Sequence, residues 1–173
     1  MRYVAFLRNV NQGQRGHPST AMIRDAFAAA GCRDAVTFQS NGTVIFEAAE
    51  PDAVVADALA MLDSLGFPRH GFVMSVPEVG AMAATNGAAP DVSRRELTLH
   101  GAELIDVDDD DVVRAAAHRR CRLIGTGPGW VVSVNERERE SNATPVVEQV
   151  TGGPATSRSI GTVVRLLDRH ELW

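Results

Sequence analysis

The segment AVTFQSNGTVIFEA, residues 35–48, constrains the fold more than any other part of the chain. Two runs rich in β-branched and aromatic residues flank Asn41-Gly42, and an Asn-Gly pair between such runs is the strongest short-range hairpin signal. A type I′ turn needs positive φ at both central residues, which Asn and Gly tolerate best. The segment therefore predicts an antiparallel hairpin that turns at Asn41 and Gly42.

The elements around this hairpin complete a known order. An apolar strand and a helix with Ser19-Thr20 as its N-cap precede it, and a helix opened by Pro51 and a further strand follow it. The predicted elements around the hairpin span residues 2–7, 19–31, 51–66 and 69–76. The order βαββαβ over residues 1–76 is that of a ferredoxin-like, or split βαβ, unit.

Residues 77–173 repeat this pattern more weakly. A helix, a strand, a helix and a second hairpin turning at Gly127-Pro128-Gly129 are followed by two more helices. The segment GGPATSRS, residues 152–159, is interpreted as a connection. We therefore predict an α+β protein of two ferredoxin-like halves with antiparallel sheets: a βαββαβ half over residues 1–76, and an α-βαββα half with a C-terminal helix over residues 77–173.

Charge and composition narrow the classes of function. The formal net charge is −5, which opposes general nucleic-acid binding. Every basic residue except histidine is arginine, which excludes lysine chemistry. No apolar run approaches the length of a membrane span, and the N-terminus lacks the pattern of a signal peptide. The two cysteines are far apart and outside any CxxC motif, which indicates buried free thiols. A cytoplasmic location is expected.

Three motifs resemble a known family of bacterial proteins. The chain has LRNVNQGQ at 7–14, TFQSNGTVIF at 37–46 and ATSRSIGTV at 155–163. In the same order, the family has LRGINVGG, TY[IL]QSGNV[VI]F and, near the C-terminus, ATTRNWNTV. This chain is thereby identified as a divergent member of the family known as domain of unknown function 1697. The resemblance implies two tandem ferredoxin-like halves and no established activity.

The loop between the first strand and the first helix is the leading candidate site. Glycines and a helix N-terminus can present backbone N–H groups to an anion, and arginine binds phosphate or carboxylate in a bidentate manner. A solvated loop whose asparagines bond their own backbone is the alternative. If the hairpin turn and the segment around Arg158 pack beside this loop, they form one polar site for a small anionic ligand, comprising Arg8, Asn11, Gly13, Arg15, Ser40, Asn41, Arg158 and Thr162.

No motif for catalysis or metal binding is present. The loop is neither GxGxxG nor a Walker motif, the histidines lack ligand spacing, and the run Asp106–Asp111 lacks the spacing and glycine of a calcium loop. The prediction is therefore a non-catalytic binder without cofactor or metal, either monomeric or homodimeric. Three alternatives stay open: a nucleic-acid-associated domain, an enzyme of unassigned chemistry with His17 as acid or base, and a protein without a ligand whose sheets pair with those of a second copy.

Overall fold

The computed structural model describes residues 1–173 and divides the chain into two compact units, Met1–Val79 and Gly80–Trp173. Six α-helices and eight strands form two four-stranded antiparallel sheets, with one sheet in each unit. The predicted α+β class is confirmed. No helix combines the length and the apolar character needed to span a membrane.

The first unit has the element order predicted from the sequence, with its strands in the spatial order β2-β3-β1-β4. The N-cap of its first helix is Ser19, whose hydroxyl accepts a hydrogen bond from Met22 N, and the second helix begins at Pro51. A third helix, α3, crosses the boundary between the units. The elements are β1 (Arg2–Leu7), α1 (Thr20–Ala29), β2 (Val36–Phe38), β3 (Thr43–Glu47), α2 (Pro51–Ser64), β4 (Gly71–Ser75) and α3 (Val76–Gly87).

One face of the first sheet packs against α1 and α2 through a cluster of apolar side chains. Leu7 and Phe46 from the sheet share a buried cluster with Phe27 of α1 and Leu62 of α2. The rings of Phe27 and Phe46 lie 5.3 Å apart between centroids and are tilted by 59°, a favourable aromatic geometry. Burial of these side chains fixes both helices on the sheet.

The second unit has the spatial order β6-β7-β5-β8, in which each strand takes the place of its counterpart in the first sheet. Asp109 caps the first helix of this sheet by accepting hydrogen bonds from Asp111 N and Val112 N. The last helix, α6, packs against β5 and β8. The elements are β5 (Arg95–His100), α4 (Asp110–His118), β6 (Cys121–Gly127), β7 (Trp130–Asn135), α5 (Ala143–Thr151), β8 (Ala155–Ser159) and α6 (Ile160–Arg169).

Two details differ from the sequence prediction. The segment interpreted as a connection contains β8, which pairs antiparallel with β5 although its residues are mostly small and polar. The first hairpin does not turn at two residues, because Phe38 pairs with Thr43 and leaves a four-residue loop. Positive φ occurs at Gln39 and Gly42, and Asn41 is not among the positive-φ residues, so the turn is not type I′. The second hairpin does turn at Pro128-Gly129.

Candidate functional site

Three segments meet at one end of the first sheet, and we call them together the basic edge: residues 8–19, 39–42 and 67–70. Because β1 is antiparallel to both β3 and β4, Phe6 near its end pairs with Thr43 at the start of β3 and with Phe72 near the start of β4. Strand pairing alone therefore brings the β1–α1 loop beside the hairpin loop and the segment before β4.

Backbone hydrogen bonds join the three segments. Leu7 N donates to the carbonyl of Gly42, Gln12 N donates to the carbonyl of Ser40, and Arg8 N donates to the carbonyl of His70, each at 2.8 Å. These bonds satisfy polar groups that would otherwise need water at the end of the sheet. The β1–α1 loop is therefore held in place by its neighbours.

Gly42 allows the close approach of the first two segments. Its φ is +75°, and a Cβ at this position would lie 2.7 Å from the Cβ of Val10 and 3.0 Å from the Cβ of Leu7. Any other residue would be strained at this positive φ, and its Cβ would overlap the side chains of the loop. The glycine of the predicted turn is thus required by the packing of the loop on the hairpin.

His17 holds the loop from inside. Its Nδ1 lies 3.0 Å from the backbone nitrogen of Asn11, which donates to it, and 3.1 Å from the carbonyl oxygen of Asn9. Asn9 has a φ of 60° and Gly13 a φ of +87°, so the chain reverses within this loop. The histidine that was considered as an acid or base has a structural role here.

Arg69 completes the edge and was not predicted from the sequence. Its Nη2 donates to the carbonyl of Gly16 at 2.9 Å and its Nη1 to the carbonyl of Pro68 at 2.8 Å. The signal was available, because in this topology the residues before the fourth strand adjoin the end of the first strand. Two buried N–H groups of the edge, Nε of Arg69 and Nε2 of Gln12, have no acceptor.

The basic edge contains no carboxylate. No aspartate or glutamate occurs in residues 6–24, 35–46 or 64–77. These ranges include the edge and the parts of the strands next to it. The edge carries three arginines and two histidines: Arg8, Arg15, His17, Arg69 and His70. In a chain of net charge −5, this distribution concentrates positive potential at one end of the first unit.

The structure brings together six of the predicted site residues, which lie on the basic edge: Arg8, Asn11, Gly13, Arg15, Ser40 and Asn41. Gly13, Arg15 and Ser40 are exposed, and Arg8 is partly buried. The side chain of Asn41 accepts hydrogen bonds from the backbone N–H and hydroxyl of Thr43, at 3.3 and 2.8 Å. Asn41 therefore contributes to the conformation of the hairpin loop.

The other two predicted residues, Arg158 and Thr162, belong to the second unit. Nη1 of Arg158 donates to the hydroxyl of Thr156 at 3.0 Å and to the carbonyl of Ser157 at 2.8 Å, and burial lowers the pKa of Arg158 to about 10. Thr162 N donates to the hydroxyl of Ser159, the N-cap of α6. Their grouping with the loop residues of the first unit stays a prediction.

The cysteines are free and buried, as predicted, and no group of three or more His, Cys, Asp or Glu side chains is placed to hold a metal ion. Burial raises the pKa of the Cys32 thiol, and it raises the pKa of Cys121, with a smaller effect of Glu96 and Glu136, to about 11. A thiol with a raised pKa is a weak nucleophile, so neither cysteine is suited to nucleophilic catalysis.

Comparison with known proteins identifies the chain's relatives. The sequence model of a family described as "Protein of unknown function (DUF1697)" matches residues 1–122, which contain the first two of the three motifs noted above. No curated protein matches the chain. Among solved structures, the conserved bacterial protein SP0830 from Streptococcus pneumoniae has a similar fold, with a TM-score of 0.59, 15% identity, and coverage of 95% of this chain and 96% of that one.

Proposed function

The chain belongs to the DUF1697 family, whose description assigns no activity, and we propose a function from the chain's own residues. The protein binds a small anionic ligand at the basic edge. The ligand class is a phosphate ester or a carboxylate, since both match the arginine guanidinium in charge and geometry. The protein is proposed to bind this ligand without transforming it.

The observation that carries the proposal is the charge of the edge. Three arginines and two histidines lie on segments joined by backbone hydrogen bonds, with no aspartate or glutamate among them. Arginines on a protein surface are ordinarily interspersed with carboxylates, which balance them. Segments that carry arginines and no carboxylate of their own give this edge a positive potential that attracts anions.

Unsatisfied donors give further support. Nε of Arg69 and Nε2 of Gln12 are buried without acceptors, and a buried donor left unpaired costs about 1–3 kcal/mol. These two donors are therefore candidate partners for an anion rich in acceptor oxygens. The N-terminus of α1 follows the same loop, and its first turn has no acidic residue that would oppose an anion.

We also propose a finer description of the fold. The element order βαββαβ and the strand order of each sheet support two ferredoxin-like halves, divided as predicted near residue 76, with β8 as the fourth strand of the second half. The two buried free thiols support a cytoplasmic location, where such thiols stay reduced.

The test is a binding screen followed by matched arginine variants. Inorganic phosphate, phosphate monoesters and di- and tricarboxylates are screened by thermal shift, and hits are measured by titration calorimetry. Arg8→Gln and Arg15→Gln should each weaken binding about tenfold, because each removes a charge-assisted contact. Arg33→Gln is the control, since Arg33 is exposed on the same unit but lies outside the basic edge.

Two results would overturn the proposal: no binding by any compound of the panel, or hits that bind the Arg8 and Arg15 variants as tightly as the parent. Circular dichroism of each variant shows whether the fold is retained. Arg158→Gln separates the basic edge from the wider group predicted by sequence. Weaker binding by a folded Arg158 variant would extend the site to that residue.

A further inference from the structure

An open groove of about 590 Å³ lies on the second unit, far along the chain from the basic edge. The loop after β5, the start of α4 and the end of α5 form its walls. Ile105 and Val112 line it, and both belong to the buried cluster beneath the helices. The groove thus opens onto the apolar core of this unit.

Two large apolar side chains stand exposed in the groove. Leu104 is 62% exposed and Val150 is 37% exposed, and both are among its lining residues. Single exposed apolar residues are common, but exposed ones that adjoin an apolar floor form a patch of the kind found at interaction sites. The groove therefore offers apolar surface that a partner would bury.

Negative charge surrounds this apolar surface. Residues 103–111 contain one glutamate and five aspartates and no basic residue, and Asp106, Asp109 and Asp111 line the groove. Although Asp111 is paired with Arg114, the other carboxylates of this segment leave the rim with an excess of negative charge. The C-terminal end of α5, whose last turn has no basic residue, adds the negative pole of a helix at the opposite wall.

We propose that this groove binds a short peptide segment of a partner protein in which apolar side chains are flanked by arginine or lysine. The apolar side chains bury Leu104 and Val150 together with the floor of the groove. The flanking cations lie against Asp106 and the end of α5, where charge complementarity favours association and orients the segment. The proposal is independent of ligand binding at the basic edge.

The experiment selects partners without assuming their sequence. A display library of random twelve-residue peptides is panned on the intact chain, and selected peptides are synthesised with a fluorophore and measured by anisotropy. We expect selected peptides to combine leucine, isoleucine or valine with arginine or lysine. The double variant Leu104→Ser/Val150→Ser should bind them at least about tenfold more weakly, since a few buried apolar contacts carry most of such an affinity.

Charge is tested separately. Asp106→Asn keeps the oxygen that accepts a hydrogen bond from Asp108 N, so the loop is retained while one negative charge is lost. This variant should weaken binding, and raising the salt concentration should weaken the parent more than the variant. Matched controls are Leu65→Ser and Asp63→Asn, which change an exposed apolar and an exposed acidic residue of the first unit.

Each outcome decides the proposal. Basic, apolar peptides that lose affinity for the groove variants but not for the controls support it. A selection without binding peptides, peptides rich in acidic residues, or equal binding to the parent and the groove variants would each overturn it. Analytical ultracentrifugation tests whether a second copy of this chain occupies the groove. Self-association that the double variant abolishes would assign the groove to that copy and overturn the peptide proposal.

Discussion

The loops that follow the first strand of each sheet occupy equivalent positions, yet they carry opposite charge. The loop after β1 has two arginines and no carboxylate, whereas the loop after β5 is rich in carboxylates and has no arginine. Both lead into a helix with a side-chain N-cap, Ser19 in one unit and Asp109 in the other. Strand pairing and capping therefore fix the topology, while the charge of the loop between them is free to differ.

The helix-covered faces of the two sheets differ as well. In the first sheet this face is apolar, whereas in the second Glu96, Thr98 and His100 of β5 alternate with leucines and are buried. The hydroxyl of Ser157 bridges that of Thr98, at 2.7 Å, and that of Thr144 on α5, at 2.6 Å. Glu96 accepts a hydrogen bond from Asn135, and His100 accepts one from Ala102 N, so each buried residue of the row has a hydrogen-bond partner outside it.

The positions of the tryptophans and the tyrosine allow the second unit to be observed separately. Both tryptophans, Trp130 and Trp173, belong to the second unit, and the single tyrosine, Tyr3, belongs to the first. Tryptophan fluorescence therefore follows the second unit, while far-UV circular dichroism follows both. Urea unfolding monitored by the two signals is the common measurement for the predictions below.

The largest effect is expected in the apolar core of the first unit. Phe27→Ala removes a fully buried ring that contacts Phe46, and we expect the free energy of unfolding to fall by about 3–5 kcal/mol. The dichroism transition should move to lower urea while the tryptophan transition stays in place. Val36→Ala, at an exposed position of the same unit, is the control. An equal shift of both signals would show that the units unfold as one.

The next effect tests the contact between the two loops of the basic edge. Gly42→Ala introduces a Cβ 2.7 Å from the Cβ of Val10 at a φ of +75°, and we expect a loss of about 2–4 kcal/mol from overpacking and backbone strain. Gly13→Ala is matched in φ but meets no atom within 4 Å, so it should cost only about 1–2 kcal/mol. Similar losses for both variants would mean that the loops do not pack as described.

A smaller effect is expected from the polar row of the second unit. Ser157→Ala removes the hydroxyl that bridges Thr98 and Thr144, and we expect a loss of about 1–3 kcal/mol because the buried hydroxyl of Thr98 and the half-buried hydroxyl of Thr144 lose a partner. The tryptophan transition should report this loss. Thr85→Ala, which removes an exposed hydroxyl bonded to the backbone within α3, is the control and should change stability by about 0.5 kcal/mol or less. No change in the Ser157 variant would contradict a stabilising role for the row.

The sequence predicted the first unit well because its signals are local. Runs of apolar, β-branched and aromatic residues mark the strands, Ser19-Thr20 and Pro51 mark the helix starts, and the structure has each element within a few residues of its predicted bounds. In the second unit, β8 was missed because ATSRS lacks alternating apolar residues. It forms a strand because β5 offers an unpaired edge, and pairing with a distant strand is not encoded in local periodicity.

The candidate site was predicted only in part, for the same reason. Arg8, Asn11 and Gly13 were found because they are adjacent in a motif, whereas Arg69 bonds to Gly16 across 53 positions of the chain. The type of the first turn was wrong because Asn41-Gly42 satisfies the type I′ preference, while the strand register places four residues in the loop. In this four-residue loop Gly42 lies close to Leu7 and Val10, a contact with a distant part of the chain that the local turn preference does not contain.

The smallest effect concerns pH and is expected in the second unit. Burial lowers the pKa of His100, whose Nδ1 accepts a hydrogen bond from Ala102 N at 3.2 Å, and burial and the neighbouring Arg169 lower the pKa of His170. Below about pH 6.5 the unfolded chain binds protons that the folded chain does not, so stability should fall as the pH drops.

The loss from each histidine cannot exceed about 1.4 kcal/mol per pH unit. His100→Asn removes the titrating group and retains a side-chain acceptor for Ala102 N. We expect its tryptophan transition to shift less than that of the parent between pH 7.5 and pH 5. The single variant His170→Asn keeps His100 and should retain part of the pH dependence. The stability of the double variant His100→Asn/His170→Asn should depend on pH least. If the parent and the double variant had the same pH dependence, these two histidines would not determine it.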